Sequence, residues 1–163
     1  MKKLAILPII FSLFISIGCS EKQDSKIQNS SFKLYASIKY SDTLYEGEFR
    51  ADEKGNCEFA FLNPQTLKGF SVYADSDGME LKYKGLSQKI PVSDISEGAF
   101  IYEIYELLKS IPQDAAVDIK NDKILYEGDS NGRAFTLTLD SNGIPLAIDI
   151  KSLGMTAEFK NIE

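Results

Sequence analysis

The chain has 163 residues, a formal net charge of −6, no histidine and no tryptophan. An acidic chain with dispersed basic residues has no electrostatic case for nucleic acid, and its body is repelled by an anionic membrane surface. Without histidine the commonest general base and zinc ligand are both missing, so neither an enzyme nor a metal protein is expected, and no cofactor is implied.

The chain opens with Lys2 and Lys3, followed by an apolar run from Leu4 to Ile17. Behind a basic start, a run this short predicts a secretory signal over residues 1–18 and not a membrane span. Ser16-Ile17-Gly18-Cys19 resembles the lipobox of bacterial lipoproteins, whose first position is more often Leu. That resemblance implies cleavage before Cys19 and a diacylglyceryl group on its sulfur. The alternative is an ordinary signal with an incidental cysteine. Loss of Lys2 and Lys3 would take the net charge to −8. Residues 19–31 are polar and lack aromatics, which predicts a flexible tether reaching about 20 Å. The expected location is the extracytoplasmic face of the cell membrane, held there by lipid on Cys19.

A single domain is expected over residues 32–163. Phe32, Leu34, Ala36, Ile38 and Tyr40 alternate with polar neighbours, as do Tyr45, Gly47 and Phe49, then Cys57, Phe59 and Phe61. This period of two predicts half-buried strands. Asn63-Pro64 ends the third. Strands follow over 69–74 and 79–84, and 86–92 suits an edge because Pro91 cannot serve a central ladder.

Ser96 to Ile111 is the one strong helical pattern. Phe100, Ile104, Leu107, Leu108 and Ile111 recur on one stripe, with Glu103, Glu106 and Lys109 elsewhere. Ser96 is the expected cap, Glu97 falls in the first turn, and Pro112 terminates the helix. Each large side chain buried on the stripe stabilises by roughly 1.5–3 kcal/mol, so the helix needs a sheet to lie on. Beyond it, alternation resumes at Val117 and Ile119, Ile124 to Gly128, Phe135 to Leu139, Ile144 to Ile150 and Met155 to Phe159. Turn residues at nearly every junction predict consecutive antiparallel hairpins. The fold class is therefore α+β, mostly antiparallel β. Leu44-Tyr45-Glu46-Gly47-Glu48 recurs as Leu125-Tyr126-Glu127-Gly128-Asp129, an echo that duplication or shared strand-and-turn composition explains equally.

Few residues suggest chemistry. Glu46 and Glu48 share a strand face with Arg50, which predicts cross-strand pairing on a solvated surface. Three Asp-Ser-[Asn/Asp]-Gly segments, at Asp75, Asp129 and Asp140, lack the full oxygen set of a calcium loop and predict tight turns. Cys57, on an alternating strand, predicts a buried inert thiol. The eight tyrosines suit strand surfaces, or the wall of an apolar cavity.

From Phe32 onward the chain resembles the LolA-like group of bacterial proteins, which takes in periplasmic lipoprotein carriers, a lipidated outer-membrane receptor and mycobacterial lipid-binding lipoproteins. The matching residues are Tyr45-Glu46-Gly47-Glu48-Phe49, Cys57-Glu58-Phe59-Ala60-Phe61 and Pro64. Pro64-Gln65-Thr66-Leu67-Lys68-Gly69, Tyr83-Lys84-Gly85-Leu86 and Phe135-Thr136-Leu137-Thr138-Leu139-Asp140 resemble small uncharacterised lipoproteins of Gram-positive bacteria. The carriers' Arg-Pro pair is replaced by Lys54, Gly55 and Asn56, and their tryptophans are absent, so the carrier role itself is not implied.

The resemblance implies a curved half-barrel sheet with the helix on its concave side, over a cavity for acyl chains. Its expected lining is Phe49, Phe59, Phe61, Phe100, Ile104, Leu107, Leu108, Leu137 and Ile148. The expected function is binding of a lipid or other apolar ligand by a membrane-anchored monomer. The alternative is an interaction scaffold with a filled core, its partner an envelope protein.

Overall fold

The computed structural model describes residues 31–162. The expected signal segment, Cys19 and nearly all of the expected tether lie outside them. Eleven strands form one antiparallel sheet: β1 Phe32–Tyr40, β2 Thr43–Ala51, β3 Cys57–Asn63, β4 Phe70–Asp75, β5 Gly78–Tyr83, β6 Leu86–Pro91, β7 Ala116–Lys120, β8 Lys123–Ser130, β9 Arg133–Asp140, β10 Pro145–Ile150 and β11 Met155–Asn161. One α-helix, α1 Phe100–Lys109, lies between β6 and β7 in sequence.

The spatial order is β6-β5-β4-β3-β2-β1-β11-β10-β9-β8-β7. From β1 in mid-sheet the chain meanders out to one edge at β6, passes through α1, and restarts at the opposite edge with β7. It then meanders back until β11 pairs with β1, setting Ala36 opposite Phe159 and Ile38 opposite Ala157. Every other strand pairing is a local hairpin, as the turn chemistry predicts. The edges β6 and β7 do not pair with each other, so the curved sheet remains an open half-barrel.

The register places most of the alternating apolar residues on one face. Ile38 is opposite Tyr45, Leu34 opposite Phe49, Phe49 opposite Phe59, Phe59 opposite Val72, and Ile148 opposite both Leu137 and Ala157. Lys33, Glu46, Glu48, Glu58, Thr136, Thr138 and Glu158 project from the other face. Curvature has local causes. The ladder shifts register at Glu46/Gly47 and again at Pro145/Ala147, and such bulges bend a strand and increase its twist. The second shift leaves Ile144 and Leu146 only half-buried, where strict alternation placed them inside.

The turns are as expected. Asp75 Oδ1 accepts from the backbone N–H of Asp77 at 2.8 Å and of Gly78 at 3.2 Å. Asp129 Oδ1 accepts from Gly132 at 2.7 Å, and Asp140 Oδ1 from Asn142 and Ile144, both at 2.8 Å. These carboxylates satisfy turn amides.

The helix starts later than its sequence signals suggest. Ala99 occupies the N-cap position with no side-chain cap, and Ser96 contributes only its carbonyl, to the N–H of Ala99. Glu97 lies before the helix, and the acidic residue of the first turn is Glu103. The cause is Gly98, buried at φ +82° with the Tyr40 hydroxyl 3.2 Å from where a Cβ would stand. That left-handed residue turns the chain against the sheet before any helical turn can form.

Candidate functional site

Residues from both halves of the sheet share one core with the apolar face of the helix, and the site is built there. Ile101, Ile104, Tyr105, Leu107 and Leu108 of α1 are buried, as is Ile111 just past its end. They join one core with Leu34, Phe49, Phe59, Phe61, Val72, Phe135, Leu137, Ile148 and Phe159. Of the nine expected lining residues, eight are buried in this cluster, and Phe100 packs half-buried against its rim. Ile101 and Tyr105 were outside the expected stripe. Their positions flank Ile104 and Leu108 on the helical wheel, so the buried face is wider than a single stripe.

Two devices hold the helix. At its start, the Phe100 ring stacks on Tyr45 at 4.9 Å and leans on Tyr40 at 5.3 Å. Tyr45 meets Phe61 edge-on at 6.0 Å, and Phe61 meets Phe59 edge-on at 4.7 Å. This aromatic relay ties α1 to β1, β2 and β3, with each pair contributing about 0.5–1.5 kcal/mol beyond its burial. One turn on, Glu103 Oε1 accepts from Arg133 Nη1 at 2.6 Å, which ties α1 to β9. Exposed Glu97 adds a looser contact to Arg133 at 3.8 Å.

The interior is chemically plain. Its buried residues are aliphatic and aromatic, with hydroxyls from Tyr105 and Tyr126 and a thiol from Cys57. Tyr105 accepts a hydrogen bond from Lys109 Nζ at 2.6 Å, which raises the lysine pKa. Burial pushes the Tyr126 hydroxyl up and the Cys57 thiol up to about 12. At neutral pH the Tyr126 hydroxyl and the Cys57 thiol are uncharged. The Glu46 and Glu48 carboxylates lie on the opposite face. Glu46 accepts from the Tyr35 hydroxyl at 2.8 Å, and Glu48 pairs with Lys33 at 2.7 Å and with Arg50. They therefore stand on the solvated surface that their spacing predicts.

Two surface grooves, of about 360 and 280 Å³, lie toward the two edges of the sheet. The larger is bounded by Gly69, Lys82, Tyr83 and Leu86, the smaller by Asp118, Lys123, Leu125 and Thr138. None of the nine expected lining residues borders either one. The two copies of the Leu-Tyr-Glu-Gly echo place Gly47 and Gly128 on the apolar face, and each is overlaid by an aromatic ring, Phe59 and Phe135 respectively.

No family description and no curated protein matches the chain. Among solved structures, it is similar to an uncharacterised conserved protein from Thermus thermophilus, at 15% identity and TM-score 0.49, over 88% of this chain and 86% of that one. It is also similar to a chain in the structure of the CwlD amidase from Clostridioides difficile in complex with the GerS lipoprotein. That match has 15% identity and TM-score 0.47, over 82% and 85%. A LolA superfamily protein, NE2245 from Nitrosomonas europaea, matches at 12% identity and TM-score 0.43, over 83% and 87%. At these identities the likeness is one of fold.

Proposed function

We propose that this chain is a non-enzymatic extracytoplasmic lipoprotein, anchored through Cys19, that encloses a lipid acyl chain or similar apolar ligand between sheet and helix. The observation that carries the reading is the interior itself. No charged side chain is buried among the described residues, and the apolar face is capped by one ten-residue helix. A lining with so few polar groups makes no demand on ligand shape or hydrogen bonding beyond hydrocarbon, which suits a flexible chain.

The mechanism is reversible enclosure. The helix is about 15 Å long, spans the trough, and is continuous with the sheet only through its flanking loops. Lifting it breaks the Phe100–Tyr45 stack and the Glu103–Arg133 pair and exposes the Phe59, Leu137 and Ile148 wall. Ligand hydrocarbon then replaces the contacts that Ile104, Leu107 and Leu108 made with that wall. The test is titration of the delipidated full chain, in a non-ionic detergent below the level that competes, with a fluorescent polyunsaturated fatty acid. Saturable uptake of one to two molecules per chain is expected, with faster uptake by Arg133→Ala. Uptake that never saturates would contradict it.

The second reading is a surface interaction scaffold with no small ligand. It is favoured by the filled state of the interior, because eight of the nine expected lining residues are buried against one another. In that case the fatty acid finds no site, and charge reversals on the outer face abolish capture of an envelope partner.

A further inference from the structure

The edge strand β7 is exposed at every residue from Ala116 to Lys120, and among the described residues no strand pairs with its far side. On the sheet's apolar face, Val117 is 54% and Ile119 60% exposed. The other edge is guarded. Pro91 ends β6 in the register that points outward, where it has no N–H to offer, and Lys89 shares that register.

The outward groups of β7 follow from its hairpin. Asn121 and Asp122, both at positive φ, form a two-residue loop closed by Lys120 opposite Lys123. Residues flanking such a loop exchange hydrogen bonds, so Lys120, Asp118 and Ala116 point their backbone groups at β8. Val117 and Ile119 therefore turn their N–H and C=O away from the sheet.

We propose that two copies of this chain associate through β7, antiparallel about a two-fold axis at Ile119. In this register Ile119 exchanges both backbone hydrogen bonds with Ile119 of the second copy, and the two side chains meet on the apolar face. Asp118 stands opposite Lys120 of the other copy, and Lys120 opposite its Asp118. These are non-hydrogen-bonded positions, where side chains approach most closely. Asp118 and Lys120 already touch within one copy, so each charge has a partner before and after association. The neighbouring register, centred on Asp118, pairs Val117 with Ile119 of the other copy twice and so offers more backbone hydrogen bonds, but it sets the two aspartates face to face. The facing aspartates disfavour that register, and the two Asp118–Lys120 pairs favour the one centred on Ile119. The short overlap belongs to the weak, concentration-dependent class of interfaces.

Sedimentation velocity of the full chain in detergent, over a hundredfold range of concentration, reads the association. The wild type is expected to pass from monomer to dimer as concentration rises. Asp118→Lys and Lys120→Asp, both at exposed sites, are each expected to remain monomeric with unchanged circular dichroism. An equimolar mixture of the two is expected to associate, and so is the double variant Asp118→Lys/Lys120→Asp. A wild type that stays monomeric throughout, as the sequence led us to expect, overturns the proposal. So does a dimer indifferent to the single reversals, or a mixture that fails to associate.

Discussion

Arg133, at the start of β9, donates to Glu103 on α1 at 2.6 Å, with side chains only 18% and 14% exposed. Apart from the looser Glu97 contact, the other ion pairs among the described residues join strand residues on the polar face. The Arg133–Glu103 pair alone reaches over the trough, and it holds the helix against the half of the sheet farthest from the Phe100 stack.

Breaking this contact should therefore cost more than breaking a surface pair. Arg133→Ala is expected to lower unfolding free energy by about 1.5–3 kcal/mol, the range for hydrogen bonds to charged groups. Lys33→Ala, which removes the exposed partner of Glu48, should cost under about 1 kcal/mol. Urea midpoints of the two variants decide the matter.

The helix stripe makes a second comparison. Leu107 is buried in the shared core, and Leu107→Ala should cost about 2–5 kcal/mol. Leu86, 74% exposed on the edge strand β6, should tolerate alanine to within about 0.5 kcal/mol. Equal urea midpoints for the two variants would mean that α1 does not pack as described.

Gly47 and Gly128 test the close approach of backbone to ring. A Cβ at Gly47 would overlap the Ala60 carbonyl oxygen and reach within 2.7 Å of the Phe59 ring. Gly47→Ala should destabilise by about 1–3 kcal/mol through overpacking. At Gly128 the nearest atom is the Ala115 Cβ at 3.1 Å, on a loop that can give way. There the same change should cost about 1 kcal/mol or less. Thermal melts would rank them.

Cys57 links burial to pH. Its thiol is pushed up to about 12, mainly by burial, from an ordinary value of 9.0. The folded state thus holds the proton where the unfolded chain releases it. This contribution to stability is complete below pH 9 and is lost as the pH rises from 9 toward 12. Wild type should lose stability more steeply than Cys57→Ala over that window, as melts at pH 8, 9.5 and 11 would show. At pH 8 the native thiol should resist an aromatic disulfide reagent and react once the chain unfolds.

Much of the sheet is legible from alternation, because one buried face imposes the period of two from Phe32 to Phe59, from Phe135 to Leu139 and from Met155 to Phe159. The period breaks at the Pro145/Ala147 shift. Turn chemistry adds the hairpins, since Asp75, Asp129 and Asp140 bond only to amides close in sequence. The features that escape prediction are the ones set by distant partners. Nothing near Arg133 announces Glu103, thirty residues before it. The β1–β11 pairing joins the first and last strands of the sheet in sequence, which share no local signal. Ser96 reads as a cap until Gly98 turns against Tyr40. Val117 and Ile119 alternate like core residues, yet their strand falls at an edge where no element among the described residues covers them. For the site, the residues at the sheet–helix junction are legible from their spacing. Their spacing does not give the distance from helix to wall, which in the structure lets eight of the nine expected lining residues close on one another with Phe100 at the rim.

The central claim is that α1 is a lid over hydrocarbon, and amide hydrogen exchange of the full chain with and without oleate tests it most directly. Amides of 103–109 are expected to exchange faster than those of β1 and β11 in the free protein, through an opening that leaves the sheet intact, and to slow at least tenfold when oleate binds. Helix amides that exchange only with global unfolding, at the same rate with oleate as without it, would contradict the claim.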